Sequence, residues 1–381
     1  MKSVKIFGKS VPLLAVVMIS MLVIGASAYA FVGVASASPG TLTLYYYTDN
    51  KRGDDSGVAV TGLSVYVKTI GGADVASKGG VSGSVTFTLP TGDYKVVSVK
   101  GASSRTDPAT VSSDIPVNIP CGKLIVNYNT ENDGTATSSG GGTDVAGLSV
   151  YVKTTAMGDV ASAGGVSGST SFALLAGDYK VVSVKGASTR TDGPYTVASD
   201  ATADIPCGKL IVTYYANNNA LWGMTGVSVY VKWAADNGAV DQRGGVSGST
   251  SFALLAGNYK VDSVKGASSR TGDGPYTVAS DATADIPVAR FRVAVVTGGF
   301  TAQTGVSVYV KWAADNGAVD QRGGVSGSTD FSLLQSSGTG GTIGAGAYTF
   351  IATKNSTTAQ TTANADEVPP AGLSGVILMI P

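Results

Sequence analysis

Few side chains in this sequence could carry covalent or metal chemistry. Histidine is absent from all 381 residues. That removes Ser-His-Asp and Cys-His catalysis, His-ligated zinc and histidine pH switches as classes. Two cysteines are too few for a structural zinc site or a dense disulfide framework. Cys121 and Cys207 stand in the same segment, Ile-Pro-Cys-Gly-Lys, and bracket one long stretch of chain. If that stretch is entered at one end and left at the other, the two lie roughly 30 Å apart, whereas a disulfide needs Cα atoms within about 7 Å. An intermolecular disulfide is one reading of the pair, and two buried or unpaired thiols are the other. The third equivalent position holds Val288, which argues against an essential role.

The remaining candidates are oxygen donors. Asp49, Asp54 and Asp55 cluster with Asn50, but their spacing matches no standard calcium loop, so the cluster reads as a solvated turn and no metal site is assigned. Arg52-Gly53-Asp54 has the form of an integrin-type tripeptide, a match short enough to recur by chance. Asn355-Ser356-Thr357 is a glycosylation sequon. Serine and lysine occur in every repeat, yet no copy carries a distinctive polar set. No catalytic residue and no cofactor is assigned, and the chain is not read as an enzyme.

The elements that position these residues are repeats. Gly62-Leu63-Ser64-Val65-Tyr66-Val67-Lys68 returns at Gly147, Gly226 and Gly305, spacings of 85, 79 and 79 residues. Gly-Gly-Val-Ser-Gly-Ser returns at Gly79, Gly164, Gly244 and Gly323, and each repeat closes on Ile-Pro. Units of about 80 residues exceed solenoid lengths of roughly 20–50 and are large enough to hold their own cores. Within a unit the hydrophobic period is two: Val227, Val229 and Val231 alternate with Ser228, Tyr230 and Lys232, as do Leu210, Val212 and Tyr214. Asp236-Asn237-Gly238 suits a tight hairpin. The strand from Tyr259 changes phase at Val264, which suggests a bulge. Six or seven short strands per unit predict an all-β chain of four tandem antiparallel β-sandwich domains, Ig-like or prealbumin-like. The predicted boundaries are 38–121, 122–207, 208–288 and 289–381.

Composition agrees. Gly is 52 of 381 residues, and of 26 acids only Glu131 and Glu367 are Glu. Asp favours turns and caps over helix interiors. Lys plus Arg equals Asp plus Glu, so no basic field exists to attract nucleic acid. At the start, Lys2, Lys5 and Lys9 precede an uncharged run, Val11 to Val34, whose most apolar part, Val11 to Ile24, is followed by the small-residue sites Ala28-Tyr29-Ala30 and Ala35-Ser36-Ala37. This pattern reads as a secretory signal over 1–37 cut after Ala37, or as an uncleaved membrane anchor over 11–34. Both place the rest outside the cell, with membrane contact only through this segment. Val376 to Ile380 is too short for a second anchor.

Leu89-Pro90-Thr91-Gly92-Asp93-Tyr94-Lys95-Val96 resembles the L-P-x-G-x-Y-x-V segment of Cna-B-like and carboxypeptidase-regulatory-like domains, which are transthyretin-like sandwiches. The other copies depart from it: Leu174-Leu175-Ala176-Gly177-Asp178-Tyr179 in the second, Leu254-Leu255-Ala256-Gly257-Asn258-Tyr259 in the third, and an insertion from Gln335 to Gly344 in the fourth. The resemblance implies a stalk or building block of prokaryotic surface proteins and pili. The internal isopeptide bond of some members is not carried over, because no Glu recurs here.

These readings lead to an extracellular structural repeat protein, a stiff rod roughly 120–160 Å long, serving as subunit of a surface filament, surface layer or stalk. Its expected partners are further copies, other surface proteins or glycans. Tyr66, Tyr151, Tyr230 and Tyr309 alternate out of phase with the valines and are candidates for an outer contact stripe, or else for cross-strand packing. Val376, Ile377 and Leu378 in the apolar last strand are candidates for intermolecular strand pairing, or else complete the fourth sandwich. Trp233 and Trp312 fall in phase with the core, and Trp222 sits in a loop. The alternative class is an adhesin that binds a glycan or protein, with the divergent fourth unit as its site.

Overall fold

A computed structural model of the chain describes residues 3–6, 9–12, 38–50, 57–130, 142–214, 223–335, 347–367 and 373–380. The chain divides into two compact units, Met1–Pro39 and Gly40–Pro381. In the first, β1 (Ser3–Ile6) and β2 (Lys9–Pro12) pair antiparallel, Ser3 opposite Pro12. Most of the apolar run and both small-residue cleavage sites lie outside the described residues. Among the described residues no helix is long and apolar enough to cross a membrane.

Gly40–Pro381 is built from four sandwiches of seven strands. The first holds β3 (Gly40–Tyr45), β4 (Leu63–Thr69), β5 (Asp74–Val81), β6 (Ser84–Leu89), β7 (Gly92–Lys100), β8 (Ser103–Val111) and β9 (Ile115–Asn118). The second holds β10 (Cys121–Asn127), β11 (Leu148–Thr154), β12 (Asp159–Val166), β13 (Ser169–Leu175), β14 (Gly177–Lys185), β15 (Ser188–Val197) and β16 (Ala201–Asp204). The third runs β17 (Cys207–Thr213), β18 (Val227–Trp233), β19 (Ala239–Val246), β20 (Ser249–Leu255), β21 (Gly257–Lys265), β22 (Ser268–Val278) and β23 (Ala282–Asp285). The fourth runs β24 (Val288–Val296), β25 (Val306–Trp312), β26 (Ala318–Val325), β27 (Ser328–Leu334), β28 (Ala347–Lys354), β29 (Thr357–Asn364) and β30 (Leu373–Met379).

In each sandwich a four-stranded sheet, ordered β5-β4-β7-β8 in the first, faces a three-stranded one, ordered β6-β3-β9. The alternation of the sequence is the reason for the layers: Leu63, Val65 and Val67 point into the core, while Ser64, Tyr66 and Lys68 point away. The ladders are antiparallel except one per sandwich, where the closing strand lies parallel to the first, as Leu42 beside Ile115. Parallel first and last strands mean that the chain leaves each sandwich at the end opposite to its entry, beside the start of the next.

Local chemistry follows the expected lines. Asn237 takes a positive φ of 58° in the hairpin between β18 and β19, a conformation asparagine tolerates. Trp312 is buried in the fourth core, and Trp233 packs edge-on against Tyr259 with ring centroids 5.2 Å apart. The bulge expected in the strand from Tyr259 is not there: β21 keeps its phase, with Tyr259, Val261 and Ser263 inward and Val264 outward, and the register slips around Val261 come from extra residues of β22.

Candidate interaction surfaces and junctions

The junctions between sandwiches are the most elaborately built sites. Cys121 and Leu175, at the facing ends of β10 and β13, are buried in the core of the preceding sandwich. Cys207 with Leu255 and Val288 with Leu334 repeat this arrangement. Both thiols are free and buried, and removal from water pushes each up to about 12. The cysteines are thus apolar plugs, which is why Val288 can replace them. An intermolecular disulfide would require a junction to open.

Among the described residues, charged pairs reinforce two of the three junctions. Lys185 meets Asp241 of the next sandwich at 2.9 Å, and Lys265 meets Asp320 at 2.8 Å. Lys265 also donates to the Ser332 carbonyl, and burial holds its ammonium below the usual lysine range. The residue equivalent to these aspartates in the second sandwich is Ala161, and Lys100 instead donates to the Thr61 carbonyl of its own sandwich. At the first junction Asn50, at a positive φ of 57°, accepts the Cys121 N–H at 2.7 Å. Asp54, Asp55 and the rest of that cluster beyond Asn50 lie outside the described residues, as do Arg52-Gly53-Asp54 and Trp222.

Tyr66, Tyr151, Tyr230 and Tyr309 stand on the outer faces of β4, β11, β18 and β25, each 37–39% exposed. Their cross-strand neighbours are Val97, Val182, Asp262 and Ile351. Tyr151 lines a depression of about 340 Å³ with Asp159 and Ser162. Tyr309 lines one of about 140 Å³ with Ser307, Gln321 and Arg322.

The last strand, β30, lies at the edge of its sheet, parallel to β24. Val376 and Leu378 face the core, whereas Leu373, Ile377 and Met379 are about half exposed on the outer face. It is seven residues long, against four for β9, β16 and β23. Asn355 is exposed at the turn between β28 and β29. Among the described residues no cluster of His, Cys, Asp or Glu could hold a metal ion.

Sequence reasoning missed one recurring polar device. Tyr46, Tyr128 and Tyr214 lie fully buried, each hydroxyl paired with the hydroxyl of Ser98, Ser183 or Ser263 at 2.8–2.9 Å. Burial pushes these phenols well above their ordinary range. The signal was present as an apparent phase change: a serine at an inward position of β7, β14 and β21 wherever the first strand is followed by an inward tyrosine. Sequence reasoning likewise passed over the Arg-Asp pairs on the last hairpins: Arg105 with Asp107, Arg190 with Asp192 and Arg270 with Asp273, all at 2.6–2.7 Å.

These features define a class: tandem seven-stranded β-sandwiches whose cores interlock through plugged junctions. No protein-family model matches the sequence, and no curated protein does. Among solved structures, the full-length RrgB pilus protein of Streptococcus pneumoniae is similar at 9% identity, over 91% of this chain and 99% of that one, with a TM-score of 0.21. The TIE protein of Bacillus anthracis is similar at 10% identity, over 92% of this chain and 76% of that one, TM-score 0.20. The major pilin SpaD of Corynebacterium diphtheriae is similar at 11% identity, over 68% and 99%, TM-score 0.17. The all-β sandwich architecture is established by the ladders of the chain itself.

Proposed function

We propose that the chain is an extracellular structural subunit, a component of a surface filament, surface layer or stalk, exported by its first 37 residues or anchored by them. The observation that carries this reading is the recurrent junction. Three times, a thiol or valine and a leucine of one sandwich complete the core of the sandwich before it. Ordinary linked domains meet through small polar contacts and move freely. Shared cores resist hinge motion, which is what a load-bearing spacer needs. We keep 38–121, 122–207, 208–288 and 289–381 as the proposed limits of these modules, with Cys121, Cys207 and Val288, the residues that open β10, β17 and β24, as the positions shared between neighbours.

Contacts between copies are assigned to the outer tyrosines and to the free edge of β30, since an edge strand offers unpaired backbone groups and this one adds exposed Leu373, Ile377 and Met379. Electron microscopy of the protein on its native surface tests the reading, and a regular filament or lattice is the expected result. The variant Ile377→Lys should fold normally, because the side chain is 56% exposed, yet lose that assembly. Deleting 375–381 is a poorer test, because Val376 and Leu378 belong to the fourth core. Assembly unchanged in Ile377→Lys would remove β30 from the contact.

A second reading, an adhesin, is favoured by the depression beside Tyr309, where an aromatic ring adjoins Gln321 and Arg322. Glycan binding that is lost in Tyr309→Ala, with isolated particles in place of filaments, would support it.

A further inference from the structure

The contact that joins one sandwich to the next depends on a glycine on each side. On the leading side, the turn Lys-Gly-Ala-Ser at Gly101, Gly186 and Gly266 lies against the next sandwich. A Cβ at these glycines would stand 2.4–2.5 Å from the main-chain oxygens of Asp159, Ala239 and Ala318. Those same oxygens accept the N–H groups of Ala102, Ala187 and Ala267 at 2.7–2.8 Å. On the receiving side stand Gly158, Gly238 and Gly317. A Cβ there would meet the methyl groups of Ala102, Ala187 and Ala267 at 2.2–2.4 Å. Real Cβ atoms do not approach backbone so closely, and a packed joint has no slack to absorb the overlap.

The two outward ends of the series lack both glycines. Register places Lys354-Asn355-Ser356-Thr357 where Lys100-Gly101-Ala102-Ser103 stands. Asn355 keeps the positive φ, 47° against 54° at Gly101, but carries a side chain. Ala359 and Thr361 replace the Arg-Asp pair of the other hairpins, and Lys354 donates to Gln303 of its own sandwich. At the other end, Ala73 stands where the receivers have glycine, its carbonyl accepting the Thr69 N–H as Gly158 accepts Thr154. Pro90, exposed, stands where Leu175 plugs the preceding core.

We propose that the first and fourth sandwiches are caps: their outward ends are closed to the contact that joins the interior, so a second copy of this chain cannot extend the series head to tail through it. The proposal stands whether or not the chain forms filaments. It restricts any contact between copies to other faces, in line with the need of repeat arrays for atypical ends that do not recruit further units.

Hydrogen exchange on the full chain tests this at two amides. In Gly186→Asn, residue 186 can keep its positive φ, as Asn355 does at 47°, while the joint cannot close. The Ala187 amide is expected to exchange at least tenfold faster, with β11 and β18 protected as before. Ala187 protection equal to wild type would overturn the proposal. In the wild-type chain, the Ser356 amide is expected to exchange equally fast in dilute and concentrated solution. Ser356 protection that grows with concentration would show that the outer end does make the joint, and would overturn the proposal even if Gly186→Asn failed to fold.

Discussion

The Tyr-Ser pairs show how a single polar contact is tolerated inside a small β-sandwich core. A buried phenol without a partner would forfeit about 1–3 kcal/mol of what its ring contributes, so each is matched to an inward serine. The fourth sandwich makes the same point in reverse. Val295 takes the tyrosine position and Ala352 the serine position, and the Phe350 ring packs 5.1 Å from Phe291. Tyr214→Phe should therefore destabilise the third sandwich by about 1–2 kcal/mol, read by chemical denaturation, because it orphans Ser263. The double variant Tyr214→Phe, Ser263→Ala should cost less than the sum of the singles. Buried thiols and phenols also make the protein alkali-sensitive. Their ionisation is held above the ordinary values of 9.0 and 10.0, so the unfolded chain loses protons before the folded one. Their contribution to stability is complete below pH 9 and lost as pH rises through that range toward about 12. Denaturation midpoints measured at pH 8, 10 and 11 should fall at the two higher values, and the fall should shrink in Cys121→Val, Cys207→Val.

Strands and turns decide how the sandwiches are joined. The three junctions share plugs and glycines but differ in charge, and the difference ranks them. Asp320 is 13% exposed and its partner Lys265 only 6%, whereas Asp241 is 32% exposed. Asp320→Ala leaves a buried ammonium without its carboxylate and should destabilise the third joint by roughly 2–4 kcal/mol. Asp241→Ala, better solvated, should cost about 1 kcal/mol or less. Protease cleavage between the sandwiches, followed over time, reads both.

At the scale of the whole chain, shared cores predict coupled unfolding. A chain stopped at Pro287 keeps every strand of the third sandwich but loses Val288 and Leu334 from its core. The third sandwich should then be less stable by roughly 3–6 kcal/mol, the transfer cost of two buried aliphatic side chains. Calorimetry of that truncation should show a lowered transition for the third sandwich beside an unchanged one for the first. Truncation with no effect on the third transition would mean that the plugs are ornaments and the sandwiches independent. Capped ends add a constraint of the same scale. Growth by copying the interior joint is blocked at Asn355 and Ala73, so contacts between copies are left to sheet edges and outer faces.

Period-two alternation, four repeats and turn residues were enough to read strands, inward valines, the outward tyrosines and the all-β sandwich class, because these depend on local geometry and on which face of a strand meets water. The apparent phase change at Val264 was a misreading of an unbroken strand, because its inward position is held by a serine, Ser263. What the sequence could not decide was which residues of different repeats meet. Cys121 and Leu175 face each other across strands of the second sandwich and yet pack in the core of the first, whereas the boundaries read from the repeats set them in different units, and the parallel closing strand that brings them there leaves no local signature. The same is true of Gly101 and Gly158, unremarkable among 52 glycines until the tertiary structure sets each against the backbone or methyl group that forbids a side chain. Alternation is a property of a strand alone, whereas a joint is a property of two surfaces, and only the folded chain sets them face to face.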